Sequence, residues 1–63
     1  MTRKEFESLR PGQLVIFQRC GRALNGLIVP VDRKLNDRDI VAPNPEWDNE
    51  LCVWPYSHFI IVK

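Results

Sequence analysis

The apolar residues of this chain come in short runs, LVIF, LIVPV, DIVA, ELCVW and FIIV, each bounded by glycine, proline or polar residues. Runs rich in branched and aromatic side chains and punctuated by turn formers read as β-strands. The first strand is expected within QLVIFQRC, with Val15 and Phe17 on one face and Leu14 and Ile16 on the other. Both faces are apolar there, so both are expected to be covered. GRALNG supplies the glycines and asparagine of a turn, and LIVPV resumes as a second strand. Pro30 within it lacks a backbone N–H, which places that stretch at a sheet edge or a bulge. DRKLNDRD alternates in charge and reads as a solvated loop. DIVA is a third strand, stopped by PNPEWDN, an exposed loop around Trp47. ELCVW is the fourth, with Leu51 and Val53 facing one way and Cys52 and Trp54 the other. PYSH fits a single 3₁₀ turn, and FIIV is the fifth strand. Its unbroken apolar run implies that both faces are covered, one by the N-terminal helix and the other by a second subunit.

That helix is signalled by Thr2 and Glu5, three positions apart as in a capping box, where each side chain satisfies a free backbone amide. It is expected over residues 3–9, with Phe6 and Leu9 on one face. Pro11 ends it, because the residue before a proline is pushed out of the helical region, and Gly12 lets the chain turn.

With 63 residues the chain makes a single domain, and a domain of this size buries only about 60% of the surface that its unfolded chain exposes. Such a core supplies roughly 3 to 5 kcal/mol, so small domains lean on disulfides, metals or partner subunits. Cys20 and Cys52 lie too far apart for a paired metal motif, and the lone His58 does not complete a zinc set. Without secretory context the two thiols are expected to stay reduced and half-buried. A partner subunit or good packing remains as support. Nine basic against eight acidic residues leave a charge of +1, too small to recruit nucleic acid or anionic membranes at long range. MTRKEFESLR is charged and lacks the apolar core of a signal peptide, and no apolar stretch is long enough to span a bilayer. A cytoplasmic domain is the expectation.

RPGQLVIF, NGLIV and LCVWPYSHFIIV, in that order, resemble the opening, second strand and closing strand pair of a small SH3-like barrel over residues 11–62. The resemblance implies a mainly β fold: a five-stranded SH3-like barrel over residues 11–62, with a short N-terminal α-helix in a helical lead-in, residues 1–10, and a 3₁₀ turn before the last strand. The order of strands and turns is also similar to that of the plasmid-encoded type II dihydrofolate reductases. Those enzymes use a Val-Gln-Ile-Tyr segment in the fourth strand, where this chain has Leu51, Cys52, Val53 and Trp54. The likeness is therefore one of topology, without the reductase activity.

Catalytic groups are sparse. Nucleophilic catalysis needs a base that reaches the nucleophile and a third group that orients the base. His58 beside Ser57 or Cys52 offers no such constellation, and the three glycines sit in separate turns rather than in one phosphate-binding loop. No enzymatic activity, metal or cofactor is expected. Trp54 and Tyr56 flank Pro55, and two readings stand for the tryptophans. If Leu51 and Val53 fill the core, Trp54 points outward as an anchor for a partner; otherwise Trp47 and Trp54 simply cover the core. The leading expectation is a non-enzymatic binding module that engages a protein, a second copy of itself included, through Phe17, Trp47, Trp54 and Tyr56. The alternative is a nucleic-acid-binding barrel using Arg19, Arg22, Arg33 and Lys34, although Asp32, Asp37 and Asp39 interleave with the latter pair.

Overall fold

The computed structural model describes residues 1–62. The helix α1 covers Arg3–Glu7, and the capping box at its start is formed. The Thr2 hydroxyl accepts from the Glu5 amide at 3.1 Å, and the Glu5 carboxylate accepts from the Thr2 amide at 2.9 Å. Ser8 caps the other end, two residues short of the expected limit, with its N–H shared between the Lys4 and Glu5 carbonyls. A helix this short is not stable alone, and it is held by packing. Phe6 is buried and stacks on Tyr56 with ring centroids 4.9 Å apart. The Arg3 guanidinium lies over Phe6 and donates to the Asp37 carbonyl. Gly12 follows at φ +87°, a left-handed conformation that Cβ-bearing residues resist, and its N–H reaches the Val31 carbonyl at 2.7 Å.

The strands are β1 (Leu14–Phe17), β2 (Ile28–Pro30), β3 (Arg33–Lys34), β4 (Asp39–Asn44), β5 (Glu50–Pro55) and β6 (Phe59–Ile61). They form two three-stranded antiparallel sheets, ordered β2-β1-β6 and β3-β4-β5. The expected five-stranded closed barrel is thereby corrected. One reason is that the second run divides: the Val31 N–H donates to the Gln13 carbonyl of the first sheet, and the next amide, Asp32, donates to Val41 of the second. Consecutive amides thus serve different sheets, and the chain turns the corner between them. The other reason is that β5 and β6, joined by the 3₁₀ turn Tyr56–His58, each end a sheet and do not pair with one another.

The stretch expected as an open loop, residues 32–39, contains β3 and a tight turn in which the Asn36 side chain accepts from the Arg38 and Asp39 amides. The third run extends beyond DIVA through Pro43 to Asn44, whose side chain caps the 3₁₀ turn Pro45–Trp47. Pro30 sits in an edge strand, as its missing N–H requires.

Between the sheets lie Val15, Phe17, Ile40 and Phe59, the largest fully buried side chains, with Phe6, Leu9, Leu24, Val29, Val31 and Ala42 around them. Phe17 and Phe59 face each other in the β1–β6 register, their rings 4.8 Å apart. Leu24, on the 18–27 connection, joins the same core, and its loop is tied by the Asn25 side chain, which accepts from the Cys20 amide at 2.9 Å.

Candidate functional site

The aromatic residues singled out by sequence do not share a surface. Phe17 is 1% exposed and belongs to the core, a correction to its expected place on a binding surface: its β6 partner Phe59 lies on the same side of the sheet. Trp54 also points inward. Its indole meets Phe17 edge-on with centroids 4.9 Å apart, and its Nε1–H donates to the Ala42 carbonyl at 3.1 Å. Leu51 and Val53, placed in the core by one sequence reading, are instead 50% and 55% exposed. The register explains this reversal. Ile40 pairs with Trp54 and Ala42 with Cys52, and residues directly opposite in a ladder share a face. Ile40 and Ala42 are fully buried, so Trp54 and Cys52 follow them in. Tyr56 is half-buried against Phe6. Trp47 alone stands out, at 63% exposure, on the 3₁₀ turn beyond β4.

The four basic candidates are likewise dispersed. Arg19 and Arg22 lie exposed on the 18–27 connection, Arg19 with φ 58°. Arg33 and Lys34 are neighbours in a strand and so project to opposite faces. Arg33 pairs with Asp32 at 2.6 Å. The Lys34 ammonium lies 5.5 Å from the Phe6 ring centre and donates to the Glu7 carbonyl at 3.2 Å.

Nor do the nucleophile candidates assemble. Gln18 occupies this turn: its side chain donates to the Ser57 carbonyl at 2.9 Å and its amide to the His58 carbonyl at 2.8 Å. The His58 Nδ1 is buried without a partner among the described residues, so it does not orient Ser57. Cys20 and Cys52 are free, half-buried thiols; burial pushes the Cys20 thiol above its ordinary range, which lowers its thiolate fraction and nucleophilicity at neutral pH. No group of three metal-binding side chains occurs among the described residues. An open cleft lies between residues 36–39 and Pro55, but it mixes Asp37 and Asp39 with Arg38 and presents no dominant charge.

What does come together is the outer face of the first sheet. The register sets Leu14 opposite Pro30, and Ile16 opposite both Ile28 and Ile60. Val62 donates to the Leu14 carbonyl just beyond β6 and completes the row. Three strands thus present Pro30, Leu14, Val62, Ile28, Ile16 and Ile60 with no charge among them. Ile28 is 55% exposed, and Leu14 and Ile60 are close to half exposed. Within one chain α1 packs Phe6 into the core side of β1 and β6, and the other face of each is left exposed. The sequence signal was present in the alternate residues Leu14 and Ile16, and Ile60 and Val62, which repeat the strand period in apolar residues on the side away from Phe17 and Phe59. The outer face of the second sheet differs, carrying Arg33 and Asp39 beside Val53 and Leu51.

Compared with protein families, curated proteins and solved structures, the chain matches none. Fold and surface therefore define a class only: a small β-rich domain with an uncharged apolar sheet face. No described helix is long and apolar enough to cross a membrane.

Proposed function

We propose that this chain is a non-enzymatic binding module, SH3-like in strand order, that engages a protein partner through the outer face of β2-β1-β6. Support for the SH3-like reading comes from the connection: β2 and β3 are consecutive yet serve different sheets, as the two halves of one bent strand do. The observation that carries the binding reading is the six-residue apolar face drawn from three strands. Patches of this kind on a small domain commonly mark interaction sites.

The magnitudes suit a transient contact. Fully burying an aliphatic side chain contributes about 1.5 to 3 kcal/mol, so Leu14, Ile28 and Ile60, each near half exposure, offer roughly 1 kcal/mol apiece. The sum, about 3 kcal/mol, falls short of what association costs in lost freedom, about 4 kcal/mol or more. A partner must add contacts of its own.

A photoreactive side chain at Ile28 tests the reading in cell extract. Discrete protein adducts are expected, reduced at least tenfold when Ile60→Lys places a charge in the face. Absence of adducts, or adducts indifferent to Ile60→Lys, would reject it. The nucleic-acid alternative draws on Arg19 and Arg22 of the 18–27 connection and on Arg33 and Lys34, which project to opposite faces of β3, and predicts a complex that weakens steeply with salt; no band shift at low salt would remove it.

A further inference from the structure

We propose that the outer edge of β5 is a strand-pairing surface, and that its occupant is β5 of a second copy, antiparallel and centred on Cys52. The inference is independent of the apolar face of the first sheet and rests on backbone groups. Beyond the Asp39–Pro55 pair, the Tyr56 N–H donates to the Arg38 carbonyl at 3.1 Å. In an antiparallel ladder, bonded pairs recur at every second residue, so Trp54 and Cys52 also turn their amide groups toward β4. Leu51 and Val53 then turn their N–H and C=O groups outward. No described residue outside the β4–β5 ladder bonds either of them.

The other sheet edges are two or three residues long and partly occupied. On β2, bonds from Phe17 to the Leu27 carbonyl and from Val31 to the Gln13 carbonyl place residues 27, 29 and 31 toward β1. The outward positions are Ile28 and Pro30, and the proline has no N–H to offer. The edge of β3 is two residues long, with Lys34 at its outward position. On β6, the outward Phe59 carbonyl accepts from the Met1 amino group and the Gln18 side chain, which leaves Ile61 as the single open position. Short edges, proline and lysine are the devices by which sheets avoid edge-to-edge pairing. The six-residue β5 has Pro55 only at its end, past the two residues with open amides.

The sequence of β5 matches itself in one register. Pairing across a two-fold axis keeps inward side chains inward only if residues of the same parity oppose each other. Centring on Cys52 sets Leu51 of each copy opposite Val53 of the other, and every outward N–H meets an outward carbonyl. Centring on Val53 sets Leu51 against Pro55 and leaves the Leu51 carbonyl unbonded. In the Cys52 register Glu50, the one charged residue of β5, falls opposite Trp54, so no like charges meet. The half-exposed Leu51 and Val53 side chains line up into one apolar stripe across the axis. The two Cys52 residues form a non-hydrogen-bonded pair, with Cα atoms about 4.5 Å apart, inside the roughly 4.4 to 6.8 Å that a disulfide spans.

Amide hydrogen exchange on the whole chain, dilute and concentrated, reads the pairing directly. The Leu51 and Val53 amides are expected to slow roughly tenfold or more on concentration, with little change at Cys52 and Trp54, which are already bonded to β4. Diamide then takes two electrons and two protons from a pair of thiols, forming a disulfide and its own hydrazine. A covalent dimer is expected from the wild type and from Cys20→Ser, and none from Cys52→Ser. Val53→Pro removes an outward N–H without touching the β4 ladder, and should abolish both signals. If that variant fails to fold, the wild-type exchange rates and the two cysteine variants still decide. Equal exchange of Leu51 and Val53 at both concentrations, or a dimer linked only through Cys20, overturns the proposal. Ile28→Lys with Ile60→Lys should leave the β5 signals unchanged, so this surface and the proposed partner-binding face fail or stand separately.

Discussion

The strands β1 and β5 carry nearly interchangeable runs, LVIF and LCVW, each with apolar residues at both parities, and they settle differently. In β1 Val15 and Phe17 are fully buried, Phe17 against its expected place on a binding surface; in β5 Leu51 and Val53, placed in the core by one reading, lie half exposed while Trp54 turns in. The difference lies in their neighbours. β1 is central in its sheet, with Val29 and Phe59 on the same side as Val15 and Phe17. β5 has one neighbour, β4, and takes the face that Ile40 and Ala42 dictate. Where a run is apolar on both sides, period alone leaves the choice open, and the burial of its partner makes it.

The largest effect is expected in β1. Phe17→Ala deletes a ring that touches both Phe59 and Trp54, at a cost of about 3 to 5 kcal/mol. Total stability at roughly 0.05 to 0.15 kcal/mol per residue is of the same size, so this variant is expected to be unfolded by circular dichroism at room temperature. Next comes the pair that tests the reversal within β5. Trp54→Ala is expected to cost about 2 to 3 kcal/mol in urea denaturation, less than a fully buried tryptophan, while Val53→Ser should change stability by under about 0.5 kcal/mol. The opposite ranking would show that Leu51 and Val53 form the core. Thr2→Ala removes the capping hydroxyl and is expected to cost about 1 kcal/mol, visible as a lower urea midpoint with an unchanged slope.

The smallest effect concerns Cys20. Burial raises its thiol, and the Sγ–H donates to the Gln18 carbonyl at 3.2 Å, so the folded state favours the protonated form. That contribution is fully present below the unfolded-state value and is lost as pH rises through the folded one. Stability should therefore decline slightly faster in the alkaline range for the wild type than for Cys20→Ser, and iodoacetamide should modify Cys20 more slowly in the native than in the urea-unfolded chain. Equal alkylation rates would contradict the burial.

Several elements were legible because a local rule sufficed. The Thr2 and Glu5 spacing marked the helix start, Pro30 marked an edge strand, and PYSH marked the 3₁₀ turn before the last strand. The division at Val31 and Asp32 was not legible, since neither residue breaks a strand and only their separate acceptors, Gln13 and Val41, show that the chain changes sheets. The burial of the aromatic residues was misjudged for a related reason. Aromatic size pointed to Phe17 and Trp54, but large rings are also what a small core needs for volume, and aliphatic side chains were left to form the open face.

Alone, the sequence determined the parts: a capped first turn of helix, short β-forming runs, turns at glycine and proline, and alternation that allowed two faces per strand. These depend on residues within a few positions of one another. Only the tertiary structure decided which face of each run is buried, which strand ends a sheet, and which backbone groups each sheet edge turns outward. Those choices depend on partners far away in the chain, Ile40 opposite Trp54 and Phe17 opposite Phe59, because a strand acquires an inside only when another strand supplies it.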